Sequence, residues 1–446
     1  MLPTILQDYN PHWQRKKQRA LKLIPRPFYL EQMQTLWSRP EILVVQGIRR
    51  SGKSSLMRLA IKNLLQNGVA PANVCLVNLE DYRLEPYLNP EGLTEILYTY
   101  RQMQHPTGQI FFFIDEIQRA SRFEQWLRTQ YELSPEIKFI ISGSTSHIFS
   151  REMATLLTGR HLGIEVYPFS FAEYVAVKKP ELMQHLQKVS IAEREIDNLA
   201  SEIQPLLQRY LRQGGFPEIL KHPFNTEALL LLQHYFQDIL FKDIALRHHI
   251  RKMASLLELG RYLITNMANE VKVLRIAHLL NLHRATVLEL FNYFNEVYLL
   301  FFTTNFSFSL NERLNTKKPR KVYCVDNGFY TALSATHTSD VGRLAENLVF
   351  QHLKFQWKEE VFFWKEKVEI DFVLSDGTPI NVTTGDNIPE REYNGLFYYL
   401  EKHNLKKGIM VTRNHSEMVQ ESGRRLQLIP LWLFLLLPSK EQVMLE

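Results

Sequence analysis

The chain has 446 residues, 45% of them apolar and 22% charged, which excludes a disordered or fibrous polymer and allows several hydrophobic cores. Its two cysteines, Cys75 and Cys324, exclude a disulfide framework and predict a reducing, cytoplasmic setting, and no Cys/His cluster has zinc-site spacing. The formal charge of +6 is mild as an average but uneven. Residues 1–27 hold Arg15, Lys16, Lys17, Arg19, Lys22 and Arg26 against Asp8 alone. This reads as a basic N-terminal arm, suited either to phosphates or a partner's acidic face, or else as a solvated tail. The first residues lack the apolar centre of a signal peptide. The longest apolar run, Leu428 to Leu437, is about half the ~20 residues needed to span a bilayer and is interrupted by Pro430. It is expected to be a buried strand or helix end rather than a membrane segment.

In chain order, a short helix is predicted from Phe28 to Trp37. A β-branched run follows at 41–47, then an amphipathic helix from Lys53 to Asn67 and a strand at 73–80. A helix near Leu93–Met103 leads to a strand at 109–116. Next come a helix (123–132), a strand (138–144), a helix (150–157) and a strand (161–168). Alternating strand and helix implies a parallel sheet covered on both faces, an α/β fold. From about Phe171 to Gly260 the pattern is mostly helical. Short helices and aromatic strands occupy 262–335, and 340–446 returns to α/β. The predicted organisation is a 1–27 arm, a 28–175 core, a 176–260 helical lid, a 261–336 region and a 337–446 region.

Residues 47–54, Gly-Ile-Arg-Arg-Ser-Gly-Lys-Ser, fit the phosphate-binding pattern G-x-x-x-x-G-K-[ST] between a strand and a helix. Gly47 and Gly52 let the backbone wrap a phosphate, with Arg49, Arg50, Ser51 and Ser55 completing the loop. The helix N-terminus adds oriented N–H groups and partial positive charge. Lys53 is expected to reach the β- and γ-phosphates, and Ser54 to ligate Mg²⁺. Four apolar residues, Phe111 to Ile114, precede Asp115 and Glu116. Acids at the carboxyl end of a buried strand sit where such sheets bind ligands. Asp115 is expected to hold Mg²⁺ through water and Glu116 to polarise the attacking water. The strand 139–141 ends in a serine-rich segment, where Ser144, or else Ser142, can report the γ-phosphate.

These residues, with the Thr158-Gly159-Arg160 turn and Pro168-Phe169-Ser170-Phe171-Ala172-Glu173-Tyr174, resemble the AAA+ type P-loop ATPases of the AAA_14/DUF4143 family, relatives of archaeal ATPases and similar to STAND NTPases. The resemblance covers nearly the whole chain from about Arg26. It implies ATP with Mg²⁺ at the interfaces of a homo-oligomer, a hexameric ring being the commonest closed form. It also implies an arginine finger at Arg160, with Arg151 as a weaker alternative, reaching the neighbouring subunit's γ-phosphate. Gly215-Phe216-Pro217 resembles a lid element that packs near adenine, which assigns Pro217 to the nucleotide, and Arg212 is a sensor candidate.

Residues 274–294 read as helix, tight turn, helix, with Leu274, Ala277, Leu282, Val287 and Leu290 as the expected core. Aromatic strands flank a loop carrying Arg313, Lys317, Lys318, Arg320 and Lys321. The pattern looks like a winged helix, in which His283, Arg284, Thr286, Lys317, Lys318 and Arg320 are candidate DNA contacts. Packing between subunits is the alternative. Further on, Glu346 on a helix and Asp371 on a strand match the first acids of PD-(D/E)xK nucleases. Asn381 and Thr383 stand where that pattern wants an acid and a lysine, so this restriction-endonuclease-like region is expected not to cut. The overall expectation is an ATPase that couples hydrolysis to binding, remodelling or translocating DNA, with no membrane. A STAND-like switch or a nucleotide-dependent DNA scaffold are the alternatives.

Overall fold

A computed structural model describes residues 1–14, 23–144, 159–188, 196–309, 319–334 and 340–444. The chain forms two compact units, Met1–Val166 and Tyr167–Glu446. Among the described residues no helix is long and apolar enough to cross a membrane.

The first unit holds a five-stranded sheet in the order β2-β3-β4-β1-β5, parallel throughout. Its strands are β1 (Ile42–Gln46), β2 (Val74–Asn78), β3 (Ile110–Asp115), β4 (Ile137–Gly143) and β5 (His161–Glu165). Every residue of β1, β3 and β4 is buried. That is why these strands read as unbroken apolar runs rather than alternating ones. Alternation survives in which face each side chain enters. Phe112, Ile114, Phe139 and Ile141 pack with helices α1 (Leu2–Tyr9), α4 (Pro90–Gln104) and α5 (Phe123–Leu133). Phe111, Phe113 and Ile140 pack with α2 (Pro27–Gln34) and α3 (Lys53–Gln66) on the other face. The helix expected at 150–157 lies outside the described residues.

The N-terminal segment departs from the expected arm. Leu2, Ile5 and Leu6 of α1 are buried in the core. Asn10, fully buried, accepts from Leu76 N–H at 2.6 Å and donates to Leu76 O at 2.8 Å. The Trp13 indole donates to Val74 O at 2.9 Å. These side chains satisfy the open edge of β2, a row of backbone groups that would otherwise be unpaired. Residues 1–14 are therefore part of the fold, because the apolar face of α1 outweighs the neighbouring charge. The bases from Arg15 to Lys22 lie outside the described residues.

The second unit begins with helices at Phe171–Lys178, Pro180–Lys188, Ile196–Gln213, Pro217–Lys221 and Thr226–Asp238. Ser170 and Glu173 form a reciprocal capping box at the first of these. Then come Met253–Thr265, β6 (Glu270–Val271), Val273–Leu279, Arg284–Glu296, β7 (Leu300–Thr303) and β8 (Arg320–Cys324), with the small sheet ordered β6-β8-β7. Within the helix–turn–helix, Leu274 is 62% exposed while Ile276 is fully buried. The expected inward set was thus out of phase at its start, because the helix leaves β6 directly and β6 pairing with β8 fixes its rotation.

The last part of this unit is a six-stranded sheet, β13-β14-β12-β11-β10-β9. Strands β9 (Val361–Lys365), β10 (Glu369–Leu374) and β11 (Pro379–Val382) are antiparallel, while β11, β12 (Lys407–Thr412) and β14 (Arg424–Pro430) run parallel. The β13 strand, Glu417–Glu421, closes the edge. The apolar run 428–437 ends β14 and enters a short buried helix, Leu431–Phe434. The regions 176–260, 261–336 and 337–446 all fall within the second unit.

Candidate nucleotide-binding site

The strand order brings three chemistries to one end of the first sheet. β4 lies between β1 and β3, so the loop after β1 and the acids ending β3 flank the end of β4. The loop 47–52 is wound through left-handed conformations at Gly47 (φ 142°), Arg50 (φ 71°) and Gly52 (φ 99°). A Cβ on Gly47 would lie 2.0 Å from Val166 O, so only glycine fits there. Left-handed residues in such a loop can turn backbone N–H groups toward an anion, and this loop leads directly into the N-terminus of α3. Lys53 is nearly buried and donates to Gly47 O at 2.9 Å and Ile48 O at 3.0 Å, bracing the loop from within. Ser54 and Ser55 follow on the first turn of α3. The Ser51 hydroxyl is buried without a hydrogen-bond partner. A buried polar atom without a partner suits a loop shaped around a polar ligand.

Asp115 and Glu116 are 2% and 8% exposed. The Ser142 hydroxyl on β4 donates to the Asp115 carboxylate and accepts from Glu116 N–H at 3.1 Å. Of the two serines proposed from sequence, Ser142 touches both acids; Ser144 is also buried. Glu116 has a left-handed backbone (φ 57°), and its carboxylate accepts from the Gln118 amide. Burial pushes the Glu116 carboxyl above its ordinary range, Lys53 opposes this, and Asp115 adds to it. A raised carboxyl near a phosphate-binding loop is suited to proton transfer.

Sequence reasoning missed Arg26. It is 2% exposed, stacks over Tyr29 at 4.4 Å and donates to Ser51 O at 3.1 Å, so it buttresses the loop. Its neighbours Pro25 and Pro27 were the available signal, since they fix the chain around one arginine. Gln118 was missed as well. Arg160 pairs with Glu132 of its own chain at 3.2 Å, both side chains a third or more exposed. Arg151 lies outside the described residues.

Pro217 belongs to the second unit, at the first turn of a five-residue helix. The Gly214-Gly215 pair before it has a local reason. A Cβ on Gly214 would meet Asp326 at 1.8 Å, and one on Gly215 would meet Phe169 O at 2.0 Å. Gly215 N–H donates to Asp326 at 2.6 Å, and Phe169 N–H donates to Gly215 O at 2.8 Å. Asp326 is fully buried, and burial pushes its carboxyl up to about 7 against the pull of the Gly215 and Gly328 N–H groups.

Of the proposed DNA contacts, His283 and Arg284 are exposed at the start of the Arg284–Glu296 helix and Thr286 is half-buried. Arg320 is half-buried at the start of β8, and Lys317 and Lys318 lie outside the described residues. Glu346 and Asp371, the two acids singled out by the nuclease resemblance, both pair with Lys321, at 3.1 Å and 3.6 Å. Burial, reinforced by Asp371, pushes the Glu346 carboxyl up to about 8.

Residues 39–175 match the family model described as an AAA domain, and residues 204–340 match a domain of unknown function, DUF8612, where a DUF4143 region was expected. The chain is 29% identical over 343 residues to an uncharacterized protein, MJ1544, of Methanocaldococcus jannaschii, covering 75% of this chain and 72% of that protein. It is 26% identical over 419 residues to an uncharacterized protein of Haemophilus influenzae, covering 92% and 98%. Solved structures similar to it include the Walker-type ATPase PABY2304 of Pyrococcus abyssi, at 16% identity and TM-score 0.46, covering 72% of this chain and 98% of that one. AMPPCP-bound DnaA from Aquifex aeolicus is similar at 13% identity and TM-score 0.29, covering 65% and 92%. The AAA domain match and the parallel sheet with its phosphate-binding loop together support an AAA-type P-loop ATPase core.

Proposed function

We propose that the protein hydrolyses ATP at the end of the first sheet and uses the cycle to act on DNA as a homo-oligomer, a hexameric ring being the favoured form. The observation that carries this reading is the Gly47–Ser54 loop beside Asp115 and Glu116, joined through Ser142. The loop N–H groups and the α3 terminus hold phosphate oxygens, and Lys53 supplies the charge that compensates them. The Ser54 hydroxyl and Asp115 carboxylate are hard oxygen donors suited to Mg²⁺. That ion supplies charge neutralisation on the phosphates when bound. Glu116 orients water for in-line attack and takes up its proton. Arg160 of a neighbouring copy, released from its half-exposed pair with Glu132, stabilises the transferring phosphoryl group.

The DNA arm of the proposal rests on the second unit. Its helix–turn–helix followed by β7 and β8 is the order of a winged helix, with His283 and Arg284 exposed at the start of the second helix. The test is ATP turnover by purified protein with and without duplex, single-stranded and branched DNA, together with its oligomeric state. Lys53→Ala should abolish nucleotide binding or turnover, and Glu116→Gln should bind ATP without turning it over. Intact turnover in Lys53→Ala refutes the site.

One observation favours the second reading, an ATP-controlled switch. The Gln118 amide holds the Glu116 carboxylate. Slow or single turnover without DNA stimulation would support the switch over the motor.

A further inference from the structure

Glu369 and Asp371 of β10 and Glu346 of the Val341–Gln351 helix surround Lys321, which the sequence placed in a basic loop and the structure places on β8. Lys321 projects from β8, outside the 337–446 region, and its side chain is 2% exposed. Its ammonium lies 2.9 Å from Glu369, 3.1 Å from Glu346 and 3.6 Å from Asp371. An unpaired buried ammonium would carry a large desolvation cost, so this placement depends on the three acids.

The acids are also committed elsewhere. Glu346 accepts from the Tyr323 hydroxyl at 2.9 Å. Asp371 accepts from Val382 N–H at 2.9 Å. Glu369 takes a second ammonium, Lys365, at 2.8 Å, and Lys365 also pairs with Glu270 of β6 at 2.6 Å. Asn381, at the position where a nuclease keeps its next acid, accepts from Asp371 N–H at 3.1 Å and donates to Glu392 at 3.2 Å.

A nuclease of the resembled type needs a divalent ion here, and these residues do not fit one. Mg²⁺ wants oxygen ligands at ~2.0–2.1 Å in a near-octahedral shell, and Mn²⁺ likewise needs a shell of oxygens free to approach it. An ammonium already stands among the oxygens, and among the described residues no group of three or more His, Cys, Asp or Glu side chains is arranged to hold a metal.

We propose that Lys321 is a resident cation that closes this carboxylate cluster to divalent metal, so the cluster joins the β6-β8-β7 sheet to the C-terminal sheet instead of cutting phosphodiesters. The positive charge needed by the acids comes from the chain itself, and removing it transfers that requirement to a solution cation. This inference is independent of the ATPase reading.

The experiment uses nucleotide-free full-length protein, Mn²⁺ as the probe, spin-resonance counting of bound Mn²⁺ and the thermal midpoint. In the unmodified protein, Asp371→Asn should leave Mn²⁺ binding unchanged, and no Mn²⁺-dependent DNA cleavage should be lost with it. Lys321→Met should gain about one bound Mn²⁺ per chain, a midpoint that rises with Mn²⁺, and loss of both in the Lys321→Met/Asp371→Asn double variant. Lys321→Arg retains a cation and should stay indifferent to Mn²⁺. The proposal is overturned if Asp371→Asn removes Mn²⁺ binding or cleavage from the unmodified protein, if Lys321→Arg acquires Mn²⁺, or if folded Lys321→Met gains none. Should Lys321→Met fold only with Mn²⁺, that rescue supports the proposal. Should it not fold at all, the Asp371→Asn and Lys321→Arg comparisons decide.

Discussion

Replacing Ser142 by alanine removes one hydroxyl from between the two acids that end β3. That hydroxyl donates to Asp115 and accepts from Glu116 N–H at 3.1 Å in a site where Ser142 itself is fully buried. A hydrogen bond to a charged group contributes about 1.5–3 kcal/mol, and a buried N–H left unsatisfied costs about 1–3 kcal/mol. Partial relaxation of the loop makes about 3 kcal/mol the expected loss of stability. Asp115 loses the group that orients it, so, with Asp115 holding Mg²⁺ as proposed, turnover should fall about 10- to 100-fold. The assay pairs urea unfolding with steady-state ATP hydrolysis, using Ser144→Ala as the comparison. A Ser142→Ala variant within about 0.5 kcal/mol of the parent, the range of a neutral surface change, would refute the reasoning. A larger effect on turnover from Ser144→Ala would return the γ-phosphate role to that residue.

Arg160→Ala should cost no more than about 1 kcal/mol in stability, since its pair with Glu132 is half-exposed. As a trans-acting finger it should nevertheless lower turnover by about 10³-fold, and retention within threefold would exclude that role. Gly215→Ala forces a Cβ to within 2.0 Å of Phe169 O and should destabilise the second unit by about 3 kcal/mol or more, read by thermal or urea unfolding. Asp326 makes a pH prediction. Its folded carboxyl sits at about 7 against an ordinary 3.8, so the folded state holds an extra proton between those values. Stability from this group is therefore full near pH 4 and is lost as the pH rises through 7, by at most about 4 kcal/mol. The neighbouring Cys324 thiol, pushed up to about 12 chiefly by burial, stays protonated throughout. Asp326→Asn should remove that slope from the unfolding curve, and parallel pH profiles for the two proteins would refute the assignment.

The candidate nucleotide site was legible because its chemistry is local. Eight consecutive residues set the loop, and two acids after an apolar run mark the end of a buried strand. Phase and partner were harder to read. Leu274 was expected inside and is exposed, since periodicity gives the spacing of a helix but strand pairing fixes its rotation. Ser142 lies on β4 and Ser144 just beyond its end, and only the pairing of β4 with β3 shows that the Ser142 hydroxyl reaches Asp115 and Glu116. Charge counting gave residues 1–27 the character of an arm, yet α1 packs on the core and Arg26 is buried against the loop.

By itself the sequence determined the parallel α/β core, the phosphate-binding loop and the acids facing it, because backbone sterics and strand burial leave local signatures. The tertiary structure alone decided which groups meet across long separations. It placed Asn10 on the edge of β2, Asp326 against the Gly214-Gly215 pair, and Lys321 among Glu346, Glu369 and Asp371. A buried charge is stable only beside its counter-charge, and packing of elements far apart in the chain brings those charges together.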